Sequence, residues 1–202
     1  RNYSPASYDR RQMFTLAFAY ELPFGKGRRF SLDGFANQMF GGWSANGTFF
    51  AYTGTPFTVT GSGQSLQCIG CTQTAHQIGP VRKLGNKGPQ QPYYDWTSFR
   101  DPLFYFDPNN PVYTPGTMGI NPLYGPGFWQ LNQALFKMEF RAESTNVAHN
   151  TRWGNPSGNS AAPRLNPDGT LRSDVTNPLQ NFMSITSADS FRQFRLGLRL
   201  SF

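Results

Sequence analysis

Gln193-Phe194-Arg195-Leu196-Gly197-Leu198-Arg199-Leu200-Ser201-Phe202 ends the chain and decides its fold. Phe194, Leu196, Leu198, Leu200 and Phe202 share one parity; Arg195, Gly197, Arg199 and Ser201 share the other. Successive side chains of a strand point to opposite faces, so the run is apolar on one face and cationic on the other. That pattern fits a wall with lipid outside and water inside.

The same period of two recurs upstream. In Gln12 to Leu22, Phe14, Leu16, Phe18, Tyr20 and Leu22 alternate with Thr15, Ala17, Ala19 and Glu21. About ten residues is the length that crosses a bilayer at barrel tilt. A second strand is expected from Trp43 to about Val59, with Trp43 as an interfacial anchor and Gly54-Thr55-Pro56 where the strand leaves the membrane. A third covers 128–137, a fourth 138–146 and the fifth 191–202. Between them lie two long polar stretches, 61–127 and 147–190, which hold most of the prolines. Long loops belong on the outer side of such a barrel and short turns on the periplasmic side, so Phe202 is expected at the periplasmic rim.

The third and fourth strands raise a difficulty. Nothing in Lys137-Met138 punctuates the chain, yet the apolar parity switches from odd (Trp129, Leu131, Leu135) to even (Met138, Phe140, Ala142). An unbroken strand of that length would reach about 63 Å, far beyond a bilayer core. The expectation is a turn missing between Lys137 and Met138.

Composition agrees with a strand-built membrane wall. Aromatic residues make up 16% of the 202, charged residues only 14%, and mean hydropathy is −0.51. No long uncharged apolar run exists to form a transmembrane helix. The net charge of +7 is spread, with Arg10-Arg11, Arg28-Arg29 and Arg82-Lys83 as the basic doublets, which argues against a nucleic-acid footprint. Outer-membrane lipid and lipopolysaccharide are the expected charged partners.

Cys68 and Cys71 stand in a Gly/Ser/Gln-rich loop as Cys-Ile-Gly-Cys. The spacing suits a redox pair, half a zinc site or a local disulfide; the disulfide is favoured, since no helix start or second ligand pair accompanies it. No metal or cofactor is expected. Catalysis has little support either: Gly25-Lys26-Gly27 and Gly61-Ser62-Gly63 are too short for phosphate loops, and Glu139 and Glu143 flanking Arg141 read as a polar wall ladder. His76, His149 and Asp189 stand alone. Aromatic loop patches make Tyr93, Tyr94, Trp96 and Tyr105 the candidate ligand contacts, against the plainer reading that these loops pack on themselves.

The end of the chain, Arg195 to Phe202 with Gly197 and Leu200 between, resembles the β-signal read by the bacterial barrel-assembly machinery. Several further runs resemble the C-terminal barrel of TonB-dependent outer-membrane receptors, in the carboxypeptidase-regulatory-like (Oar-like) group. They are Asp9-Arg10-Arg11, Tyr20 to Gly27, Gly42-Trp43, Thr53 to Val59, Gly125 to Trp129, Leu135 to Lys137, and Phe140 to Glu143 with Asn146. The resemblance implies energised uptake of a scarce nutrient (siderophore, cofactor, saccharide or peptide). It also implies a TonB-type energy-coupling partner acting through an N-terminal plug that these residues do not include. The chain begins at Arg1 without a leader, as expected of a matured chain or a fragment. Since barrels of this kind need eight strands or more, the chain is expected to be the C-terminal wall of a larger one. A structural or adhesive outer-membrane protein and a soluble β-sandwich are the rival readings.

Overall fold

The computed structural model describes residues 3–62, 66, 72–102, 114–137, 140–160 and 181–198. In chain order the strands are β1 (Met13–Glu21), β2 (Ser44–Tyr52), β3 (Pro56–Phe57), β4 (Thr60–Ser62), β5 (Thr72–Thr74), β6 (His76–Gln77), β7 (Phe99–Arg100), β8 (Leu123–Tyr124), β9 (Phe128–Lys137), β10 (Phe140–Thr145), β11 (Arg152–Trp153), β12 (Ala188–Asp189) and β13 (Gln193–Leu198). One short helix, α1 (Gly34–Phe40), lies between β1 and β2. The described residues form two compact units.

The first unit (Gln12–Tyr52, Phe128–Arg152, Asp189–Phe202) is built on one antiparallel sheet in the order β1-β2-β9-β10-β13. Within this sheet each strand lies beside the next of its strands in chain order, so this is an up-and-down meander, and among the described residues β1 and β13 are its open edges. β1 and β2 have nine residues each and β9 has ten, close to the number that crosses a bilayer when tilted.

The register explains the parity switch. Lys137 pairs with Phe140 and Leu135 with Ala142, so odd residues of β9 share a face with even residues of β10. Only Met138 and Glu139 separate the paired strands in the chain. The expectation of a missing turn is therefore overturned: a reversal through a two-residue link changes the parity of the apolar face by itself. The second strand is also shorter than expected. It ends at Tyr52, and Pro56, which cannot donate a ladder hydrogen bond, begins the separate strand β3.

The second unit (Arg1–Arg11, Thr53–Gly127, Trp153–Ala188) gathers the two long connections. They do not stay irregular. Short antiparallel pairs β3–β8, β4–β5 and β6–β7 frame a core of Phe57, Val59, Ala75, Tyr93, Tyr94, Phe99, Met118, Leu123, Phe182, Met183 and Ile185. The two connections are stitched through backbone: Tyr93 N–H donates to the Met183 carbonyl (2.6 Å), and Thr60 N–H to that of Gly158 (2.7 Å). Asp9-Arg10-Arg11 anchors the preceding segment, with the Arg11 guanidinium 4.4 Å from the centre of the Tyr124 ring and the Tyr124 hydroxyl donating to Asp9 (3.4 Å).

Candidate functional site

The pairing sorts every side chain of the sheet onto one of two faces. Phe14, Leu16, Phe18 and Tyr20 of β1 stand across from Ala51, Phe49, Gly47 and Ala45 of β2. Those in turn face Trp129, Leu131, Gln133 and Leu135 of β9. Phe140, Ala142 and Ser144 pair with Leu198, Leu196 and Phe194 to complete the face. It is exposed, Leu196 at 77% and Leu198 at 69%, and its rings lie mainly toward the two ends of the strands: Phe14, Trp129 and Phe194 at one, Tyr20, Trp43 and Phe140 at the other. Exposed Leu and Phe in the middle with aromatic rings at both rims is the outer pattern of a membrane barrel.

The opposite face is polar. Thr15, Ala17 and Ala19 lie across from Phe50, Thr48 and Asn46; Asn132 and Ala134 follow on β9, then Glu143 and Thr145 opposite Arg195 and Gln193. The curved sheet makes a concavity of about 680 Å³ here, lined by Asn46, Thr48, Asn132, Glu143, Thr145 and Arg195 among others. Charge obeys the same division. Glu21, Arg141, Glu143 and Arg195 all fall on this face. Among the described residues the one strand cation on the apolar face of this sheet, Lys137, is at the end of β9, where its ammonium donates to the Gln38 carbonyl. Arg141 binds the Glu143 carboxylate along β10, and Glu143 lies directly opposite Arg195, so the acid sits between two guanidinium-bearing positions.

At the end of the sheet where the long connections leave, Asn146 closes the corner. It holds a left-handed backbone (φ 52°), which Asn tolerates better than most residues. Its N–H donates to Asn132 Oδ1 (2.9 Å), its side-chain amide to the Asn150 carbonyl (2.9 Å), and its Oδ1 accepts from Asn150 N–H (2.9 Å). Asn150 then reaches the Trp129 carbonyl (2.7 Å). Sequence reading noted Asn146 only through the family resemblance; its network joins residues from separate strands, which spacing does not disclose.

The aromatic ligand candidates fare differently in the second unit. Tyr93 and Tyr94 are 3% and 7% exposed, their rings edge-on at 5.2 Å, and the Tyr94 hydroxyl donates to the Tyr124 carbonyl (2.7 Å). Burial pushes the Tyr94 phenol above its ordinary pKa. Both rings are core, not ligand surface. Trp96 packs partly buried against the same core, and the preceding Asp95 accepts from Thr97 N–H and Oγ1, which holds its carboxyl below the usual range. His76 is also buried here, 3.2 Å from Thr114 Oγ1 and 3.4 Å from Thr117 Oγ1; burial lowers its pKa against the raising effect of Asp101. Tyr105, Cys68 and Cys71 lie outside the described residues, as do Leu200, Phe202 and Glu139. Of the assembly-signal residues, Arg195 is on the polar face and Gly197 opposite Arg141.

A family model described as an outer membrane beta barrel domain matches residues 1–195. The chain belongs to this outer-membrane β-barrel family. Its place is therefore the bacterial outer membrane, with the apolar face as the lipid side of the barrel wall and the polar concavity on the lumen side. Neither the curated proteins nor the solved structures gave a match.

Proposed function

We propose that the chain is the C-terminal wall of a TonB-dependent outer-membrane transporter, with the polar face lining the path of a scarce nutrient. The observation that carries this reading is the five-strand register. It gives an apolar face, a charged concavity on the other and, among the described residues, two open edges, which supports a wall segment of a barrel closed by further strands. The runs that resemble those of TonB-dependent receptors support the same reading, and so does a terminal strand that resembles the signal read by the barrel-assembly machinery. On this reading the energy-coupling partner acts through a plug in the full-length protein, and the charged row of Arg141, Glu143 and Arg195 faces that plug or the solute.

The experiment is energised uptake in cells. Loss of the gene should abolish accumulation of one limiting nutrient. Removing the TonB-type partner should abolish it equally, and the intact gene should restore it. Unchanged uptake of every limiting nutrient, with loss of surface attachment instead, would favour the structural or adhesive reading.

A further inference from the structure

The helix α1 is turned inside out for a helix on a water-soluble surface. Its residues Phe35, Met39 and Phe40 are 76%, 51% and 59% exposed, while the polar Asn37 is the half-buried one. Phe35, Ala36, Met39 and Phe40 fall at i, i+1, i+4 and i+5, a single stripe. Asn37 holds the other side down: its Oδ1 accepts from Lys26 N–H (3.0 Å), and its carbonyl accepts from Gly41 N–H (2.9 Å).

Two residues of the lipid-facing side fix where the helix sits. Trp43 Nε1 donates to the Met39 carbonyl (2.9 Å), and Lys137 Nζ donates to that of Gln38. Trp43 immediately precedes β2 and shares the apolar face with Lys137 and Phe140, whose ring it meets edge-on at 5.6 Å. The helix is thus tethered on the apolar side at the Lys137–Phe140 end of the sheet, which is the periplasmic rim on the proposed reading. β2 and β9 have strand neighbours on both sides, so α1 is not a strand edge awaiting a partner.

The chain around it is cationic. Residues 22–43 carry Lys26, Arg28 and Arg29 against the single carboxylate of Asp33. Arg28 reaches Glu21 (2.5 Å), and the Arg29 guanidinium lies 5.8 Å from the Phe30 ring, itself half exposed and stacked on Phe24 at 5.5 Å. We propose that α1 and the 24–30 loop form an interfacial anchor for anionic phospholipid in the periplasmic leaflet. Phe35, Met39 and Phe40 enter the glycerol and upper acyl region, and Arg29 and Lys26 take the phosphates. The apolar stripe continues the lipid-facing face of the sheet, and the positive charge complements an anionic headgroup layer.

The test reconstitutes the full chain in vesicles of phosphatidylcholine alone and of equal parts phosphatidylcholine and phosphatidylglycerol. Phe40→Trp adds an indole whose emission is taken by difference from the parent protein. It should be blue-shifted and quenched at least twofold more by phospholipid brominated near the glycerol end than by lipid brominated near the chain end. Phe35→Trp serves in the same way if Phe40→Trp does not fold. Arg29→Gln should lower retention of phosphatidylglycerol over phosphatidylcholine about fivefold, as loss of one basic contact at an anionic surface requires. Water-like emission unaffected by either brominated lipid overturns the anchor, including the case where the stripe instead docks another protein. Unchanged phosphatidylglycerol retention in Arg29→Gln overturns the headgroup assignment.

Discussion

Lys137 stands directly across from Phe140, and that pair fixes the facing of three strands at once. With it, Leu131 and Leu135 join Ala142 and Leu196 on one side, while Asn132, Glu143 and Arg195 meet on the other. Neighbouring residues therefore differ sharply in what they tolerate. On β1, Leu16→Arg places a cation on the lipid side in mid-strand and should cost about 2–4 kcal/mol of folding free energy; Ala17→Arg, one residue on, should cost less than about 1 kcal/mol. Urea titration of folding into vesicles reads both. Equal losses from the two substitutions would mean that the faces are misassigned.

Much of this wall was legible in the sequence because a membrane strand reports both faces in its alternation. Phe14 to Leu22 and Phe194 to Phe202 could be read at sight. The pairing of Lys137 with Phe140 was not, because Met138-Glu139 between them offers no Gly, Pro or Asn to mark a turn, and the signal lay in the parity switch alone. The loop core was not legible either. Its contacts join Tyr93 to Met183 and Thr60 to Gly158, far apart in the chain, and no periodicity encodes such pairs. α1 escaped notice because seven residues are too few for a helical period to stand out.

Two glycines in the wall should respond oppositely to the same change. A Cβ on Gly47 would come within 2.7 Å of the Phe18 ring and 2.6 Å of the Asn132 carbonyl, so Gly47→Ala should destabilise the fold by about 1–3 kcal/mol. A Cβ on Gly197 would meet nothing closer than 3.9 Å, so Gly197→Ala should fold in vesicles as the parent does. That makes Gly197→Ala a clean probe of assembly: normal folding in vitro with reduced insertion in cells supports a recognition role in the terminal strand. Normal insertion in cells removes Gly197 from the signal.

Asn146→Ala should be costly out of proportion to its size. It removes the bonds to Asn150 and to the Phe191 carbonyl and leaves a residue with a Cβ but no stabilising amide in a left-handed turn. Three lost hydrogen bonds at a buried site, one of them long, predict a loss of about 2–3 kcal/mol, with hydrogen exchange rising first around Asn132 and Asn150. An effect below about 0.5 kcal/mol would show that the corner does not hold the end of β10.

Acid should loosen the unit built from the long connections through His76. Burial holds its pKa below the ordinary value of 6.5, so the folded state binds the proton less readily than the unfolded chain. The contribution is complete above about pH 6.5 and is lost as pH falls through the lowered folded value, where protonation pulls toward unfolding. Protease resistance of the loops, followed from neutral pH down to about 5 in intact vesicles, should fall, and His76→Gln should flatten the profile while keeping a polar group beside Thr114 and Thr117. A profile that stays as steep in His76→Gln would place the acid sensitivity in another group.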